Sequence, residues 1–187
     1  MSKWKEEVQL SDGNVLLVTR EVHYIPSGGE MFRSSPWIAG SERLTFVDPA
    51  TKQQLTWQLP EKDHTYVQNW SRKQVTERTE PLRVAWYLDR YDGQFVLVAM
   101  QTVCGATALK GEPQYRAYFM SPSGTREVPM SEIHPSAPAN MAFDARNYGK
   151  SSKWTRLTLA EKERLNAEHA LFRADRFIDP NDNRSCP

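Results

Sequence analysis

Period-two alternation of apolar and polar residues, interrupted by tight-turn signals, recurs along the first two thirds of the chain and restricts the fold more than any other feature. Between residues 4 and 10, Trp4, Val8 and Leu10 fall on one side, and Lys5, Glu7 and Gln9 on the other. Asp12-Gly13 follows, a hairpin signal because glycine accepts positive φ. The return strand sets Leu16, Val18, Val22 and Tyr24 against Thr19, Glu21 and His23. Residues 26–40 are rich in Gly, Ser and Pro and read as a loop. Leu44 and Phe46 then lead into a turn at Asp48-Pro49, after which Leu55, Trp57 and Leu59 alternate with Gln54, Thr56 and Gln58.

Residues 60–81 are polar with weak periodicity and read as a long loop with room for a helical turn. A third pair follows. Leu82, Val84, Trp86 and Leu88 alternate up to Asp92-Gly93, and the unbroken apolar run 95–100 reads as a strand buried on both faces. Residues 115–120 and 125–130 form the fourth pair around Ser121-Pro122-Ser123-Gly124, with Pro129 assigning the second strand to a sheet edge. Hairpins in series predict a mainly β chain (α+β). Its expected form is an antiparallel meander of about eight strands, closing into a sandwich or an open barrel.

One C-terminal amphipathic helix completes the expected domain. Thr158-Leu159-Ala160-Glu161 matches a capping box, and Asp179-Pro180 ends the helical pattern. Ala160, Ala167, Leu171, Ala174 and Ile178 form the expected packing stripe. The reading is thus a single domain over 1–187: hairpins over 1–130, a loop over 131–157, a helix over 158–179 and a polar tail over 180–187.

A chain of 187 residues with 39% hydrophobic and 25% charged residues belongs to the ordinary globular class. Its net charge of +1 supplies no field to gather polyanions, which argues against a nucleic-acid partner. No apolar run approaches the roughly 18 residues that a transmembrane helix needs. The polar opening holds no signal peptide, so the chain reads as cytosolic or as a mature secreted form. Cys104 and Cys186 lack CxxC spacing. They suffice for one disulfide in an oxidising compartment, or for two thiols elsewhere.

The opening Trp4-Lys5-Glu6-Glu7-Val8-Gln9-Leu10-Ser11-Asp12-Gly13, the lone mid-chain Cys104, and Asn166-Ala167-Glu168 followed by Cys186 carry a resemblance. The chain resembles a group of short uncharacterised proteobacterial proteins, many of them exported or lipid-anchored. The resemblance implies a periplasmic or envelope location and a Cys104–Cys186 bridge, and it implies no activity.

A search for chemistry finds no catalytic constellation. His23, His64, His134 and His169 form no HxH, HxxxH or HExxH spacing, so no metal site is expected. There is no GxSxG elbow and no phosphate or dinucleotide loop, so no cofactor is expected. Asp89 and Asp92 flank a turn and read as turn formers. Trp57 and Trp86 belong to apolar strand faces and read as core. Trp37 and Trp70 fall in expected loops, where rigid rings can serve as sugar platforms or protein anchors, or plug the ends of a sandwich. The first functional reading is a non-enzymatic envelope protein that binds another protein, of the inhibitor or immunity type. The alternatives are a carbohydrate-binding module using Trp37 or Trp70, and a hydrolase with a site near His134. Oligomeric state stays open.

Overall fold

The computed structural model describes residues 1–26, 37–59, 68–69, 74–75, 83–101, 115–133, 140–141 and 156–169. The chain is mainly β, a sandwich of two sheets with one helix. Strands β1 (Ser2–Gln9), β2 (Val15–Pro26), β3 (Trp37–Val47) and β4 (Gln54–Gln58) form an antiparallel meander. A two-residue pair, β5 (Gln68–Asn69) with β6 (Gln74–Val75), forms a short antiparallel ladder of its own. Strands β7 (Arg83–Tyr91), β8 (Gln94–Gln101), β9 (Tyr115–Ser121) and β10 (Gly124–Val128) form the second meander. Last comes β11 (Arg156–Leu157), which joins the first sheet parallel to β1 and leads into α1 (Leu159–His169).

Turn chemistry fixes the registers. At the first hairpin Gly13 N donates to Leu10 O (3.0 Å) and Leu10 N to Asn14 O (2.8 Å), with Gly13 at φ 84°. This is the three-residue loop with a left-handed closing residue. Asp92 and Gly93, at φ 47° and 80°, form the two-residue turn whose twist suits the strands around it. The first sheet then turns Val8, Leu16, Val18, Leu44, Phe46 and Trp57 inward. They meet Leu88, Phe95, Leu97, Ala99 and Met120 of the second sheet in one core. Phe46 and Phe95 cross it edge to face, ring centroids 4.8 Å apart.

The other face of the second sheet is buried as well, around Tyr87, Val96, Val98, Tyr115 and Ala117. Strand β8 is therefore covered on both sides, as its unbroken apolar run predicts. Strand β10 is an edge, as Pro129 predicts.

Several expectations are corrected. Trp86 is core, but it does not share a face with Leu88. The register slips between Ala85 and Tyr87, so Trp86 and Tyr87 both turn to the outer cluster while Ala85 and Leu88 face inward. The loop expected over 26–40 is shorter, because β2 runs through Pro26 and Trp37 opens β3 as its partner. Within 131–157, expected to be loop, a 3-10 turn (Met130–Glu132) ends the second meander and β11 pairs with Lys5 and Glu6. Part of the polar stretch 60–81 pairs as β5 and β6. The capping box is present: Glu161 N donates to Thr158 Oγ1 (3.2 Å) and Thr158 N to Glu161 Oε2 (3.1 Å). The helix is rotated from its expected seating, however. Ala160 is exposed, and Lys162 and Leu165 are the buried residues. Leu171, Ala174 and Ile178 lie outside the described residues, as does the side chain of Ala167.

Candidate functional site

Two places concentrate polar chemistry: a charged cluster inside the sandwich and a groove at its hairpin end. The cluster begins with three charged residues in apolar register. Glu6 lies between Trp4 and Val8, Arg20 between Val18 and Val22, and Glu42 two residues before Leu44. The pairing sets Arg20 beside Trp4 and Leu44, which places Glu6 and Glu42 on its diagonals. Arg20 Nε donates to Glu42 Oε1 (2.5 Å), and its Nη1 donates to Glu6 Oε2 (3.0 Å). The guanidinium also stacks 5.0 Å from the centre of the Trp4 ring.

The helix contributes the fourth charge. Lys162 Nζ is 2.6 Å from Glu6 Oε1 and donates to Glu7 O (2.5 Å) and Asn140 O (2.8 Å), which uses all three of its protons. Two carboxylates thus face two cations, and all four residues are buried. Burial works against the charge on Arg20, but Glu42 and Glu6 overcome it and raise its pKa. Burial likewise pushes Glu42 up, against the pull of Arg20 and of the Ala85 amide. The Glu6 and Arg20 side chains expose no surface, so no substrate reaches this ionic centre. It joins the two sheets and the helix.

This cluster also closes a sheet edge. Among the described residues no strand lies beyond β7, so the outward N–H and C=O groups of its residues need other partners. Ala85 N donates to Glu42 Oε2 (2.8 Å), and Ala85 O accepts from Arg20 Nη2 (3.1 Å). Further along, Leu88 N donates to Asn140 Oδ1 (2.9 Å), and Asn140 Nδ2 donates to Leu88 O (2.7 Å). Side chains take the place of the missing strand.

At the other end of the sandwich the hairpin turns are tied together. Ser11 N and Oγ, in the first turn, both donate to Asp89 Oδ1 (3.0 Å each). Tyr87 donates to the same carboxylate (2.5 Å). Burial, and then Asp89, raise the Tyr87 pKa, so the hydroxyl keeps its proton. Arg90 Nη2 donates to Asp48 Oδ1 (2.8 Å) and stacks 4.6 Å from the Phe95 ring centre. Asp48 is buried, which alone would raise its pKa, but bonds from Ala50 N and Thr51 Oγ1 and the charge of Arg90 hold it low. Between these turns lies an open groove of about 550 Å³. Thr51, Gln53 and Leu55 form one wall, Gln94 and Phe95 the floor, and Ser123 and Thr125 the other wall.

An apolar patch lies beside it on the outer face of the first sheet. Val15, Leu17 and Val47 are 49%, 42% and 52% exposed. Thr19 pairs with Thr45, and continuing that register brings Leu17 alongside Val47. Thr45 and Thr56 extend the face as an uncharged row, their hydroxyls 3.4 Å apart.

The residues singled out from sequence fall elsewhere. Trp37 is the first residue of β3 rather than a loop residue, and its ring lies outside the described residues. Trp70, Cys104, Cys186, His64 and His134 also lie outside them. His23 is exposed on the outer face of β2. His169 ends α1. Asp89 is a buried residue of β7 rather than a turn former, its carboxylate accepting from Ser11 of the first turn and from the Arg90 amide, whereas Asp92, at φ 47°, does form the turn. No group of three His, Cys, Asp or Glu residues that could hold a metal occurs among the described residues, and none of the helices there is long and apolar enough to cross a membrane. Glu6, Arg20 and Glu42 were missed although their signal was present: a charge in apolar phase on three consecutive strands. Comparison with protein-family models, curated proteins and solved structures found no match to this chain.

Proposed function

We propose that this chain is a binding protein that engages another protein through the outer face of its first sheet, at the hairpin end. The observation that supports the reading is the adjacency of Val15, Leu17 and Val47, all exposed, on a face backed by a rigid sandwich. Single exposed apolar residues are ordinary, but neighbouring ones on a flat face suit a protein contact. The tied turns behind the patch keep it preorganised, which lowers the ordering cost of association. An inhibitor or immunity-type role suits a surface of this kind, since blocking a partner needs a fixed shape and no reaction.

The test uses the full chain in the cells that make it. A photo-crosslinking residue at Leu17 should give one discrete adduct of protein mass, and adding Val47→Arg should abolish it. The same probe at Glu163, exposed on the helix, should give none. Equal adducts at both positions, or none at Leu17, would sink the proposal.

A further inference from the structure

The second sheet has two edges, and they are treated differently. The β7 edge is closed by Arg20, Glu42 and Asn140, as described above. The β10 edge carries no further strand among the described residues. Gly124, Thr125, Arg126 and Glu127 are all exposed. Ser121 pairs with Gly124 across a two-residue turn, which makes them the hydrogen-bonded closing pair. Alternation from that pair turns the N–H and C=O of Thr125 and Glu127 away from β9 and off the sheet. Among the described residues no hydrogen bond reaches these backbone groups.

We propose that β10 accepts an extended polypeptide segment as an added strand, with an acidic residue set against Arg126. The main-chain groups of Thr125 and Glu127 are spaced to form a ladder with one such strand, the mode of recognition that open sheet edges favour. Side chains on one face of the added strand would enter the groove beside Thr125 and Leu55. Those on the other face would meet Arg126, which stacks 5.4 Å from the Phe119 ring centre and has no carboxylate partner among the described residues. The neighbouring cation is already used: Arg116 Nη1 is 3.0 Å from Glu127 Oε2. Arg126 therefore sets the charge preference. A second copy of the chain fits less well, because antiparallel self-pairing centred on Arg126 would place two guanidiniums opposite each other. The site goes beyond the patch of Val15, Leu17 and Val47, and its evidence is independent of that reading.

The probe is a blocked heptapeptide, Ser-Thr-Val-Glu-Val-Thr-Ser, titrated into the full chain labelled with 15N, beside a counterpart with Lys in place of Glu. The Glu peptide should shift the amides of Thr125 and Glu127 and bind about tenfold or more tightly than the Lys peptide. Arg126→Glu should reverse that order. Thr125→Pro removes one outward N–H and no β9 ladder bond, so the fold should persist while affinity falls about tenfold. Leu17→Arg should leave peptide binding unchanged, which separates this site from the patch. Shifts confined to other residues, equal binding of the two peptides, or binding that survives Thr125→Pro would overturn the proposal. So would β10 shifts that depend on protein concentration without peptide, the mark of self-pairing.

Discussion

The first sheet places charge inside and leaves its outer face to solvent, whereas the second buries apolar residues on both of its faces. Each arrangement follows from what lies next to it. The outer face of the first sheet bears Lys3, Lys5, Thr45, Thr56 and Gln58, so its strands alternate cleanly between polar and apolar. Its inner face is apolar near the hairpin end but carries Glu6, Arg20 and Glu42 where the helix and β7 approach. The second sheet meets that cluster through the backbone of Ala85, which donates to Glu42 and accepts from Arg20. The lesson is that the charges serve the second sheet's edge. An apolar strand still has polar backbone groups, and here the first sheet satisfies them.

The largest test of this contrast is Arg20→Met. Removing the guanidinium leaves Glu6 and Glu42 buried with one fewer cation and leaves Ala85 O without its donor. Breaking one partner of a buried ion cluster costs about 3–5 kcal/mol. Urea melts should show that loss, and a change under about 1 kcal/mol would mean that the cluster holds little. Replacing Glu6, Arg20 and Glu42 together with apolar residues of similar volume should cost less than the single change, because no charge is stranded.

A smaller effect is expected at Asn140, whose amide stands in for a strand residue beside Leu88 and also donates to Gln9 O (2.9 Å). Asn140→Ala should cost about 1–2 kcal/mol, less than a fully buried pair because water can reach part of this edge. Hydrogen exchange should rise at the Leu88 amide and stay unchanged at Leu97, inside the sheet. Faster exchange at both would mean that Asn140 supports the whole sheet and not the edge alone.

How much of this was legible depended on how local each cause is. The four hairpins were readable because Asp12-Gly13, Asp48-Pro49, Asp92-Gly93 and Pro122-Ser123 sit within a few residues of the strands they join. The buried strand β8 was readable from its unbroken apolar run. The bulge at Trp86 was not, since alternation from Leu82 to Leu88 is unbroken in the sequence and the slip serves the packing of Trp86 and Tyr87 together. Strand β11 is two residues long and pairs with a strand about 150 positions away, too distant for any window to detect. The helix seating was misread because Lys162 looks like a surface residue until Glu6 is known to be its partner. Of the candidate groove, only the turn at residues 121–124 was visible. Thr125 and Gln94 come to line one groove with Thr51 only once the two sheets are stacked.

The smallest effect, and the sharpest on the helix, comes from acid. The Arg156 side chain, and then the Leu159 amide, hold Glu7 below the ordinary 4.5. Arg156 Nη2 lies 2.6 Å from Glu7 Oε1, and Leu159 N donates to Glu7 Oε2 (3.1 Å) at the start of the helix. A carboxylate there also faces the positive end of the helix dipole. Because the folded pKa is lowered, the unfolded chain binds the proton more readily than the native one. The stabilisation is therefore complete above pH 4.5 and is lost as pH falls through the lowered folded value. Helix amides such as that of Leu165 should then exchange faster in acid, before those of β8 do. Glu7→Gln should loosen the helix modestly at neutral pH and remove most of the acid step, since an amide does not titrate in this range. If the helix of Glu7→Gln opens along the same pH profile as the unaltered chain, the anchor is not electrostatic, and the apolar contact of Leu165 holds the helix to the first sheet instead.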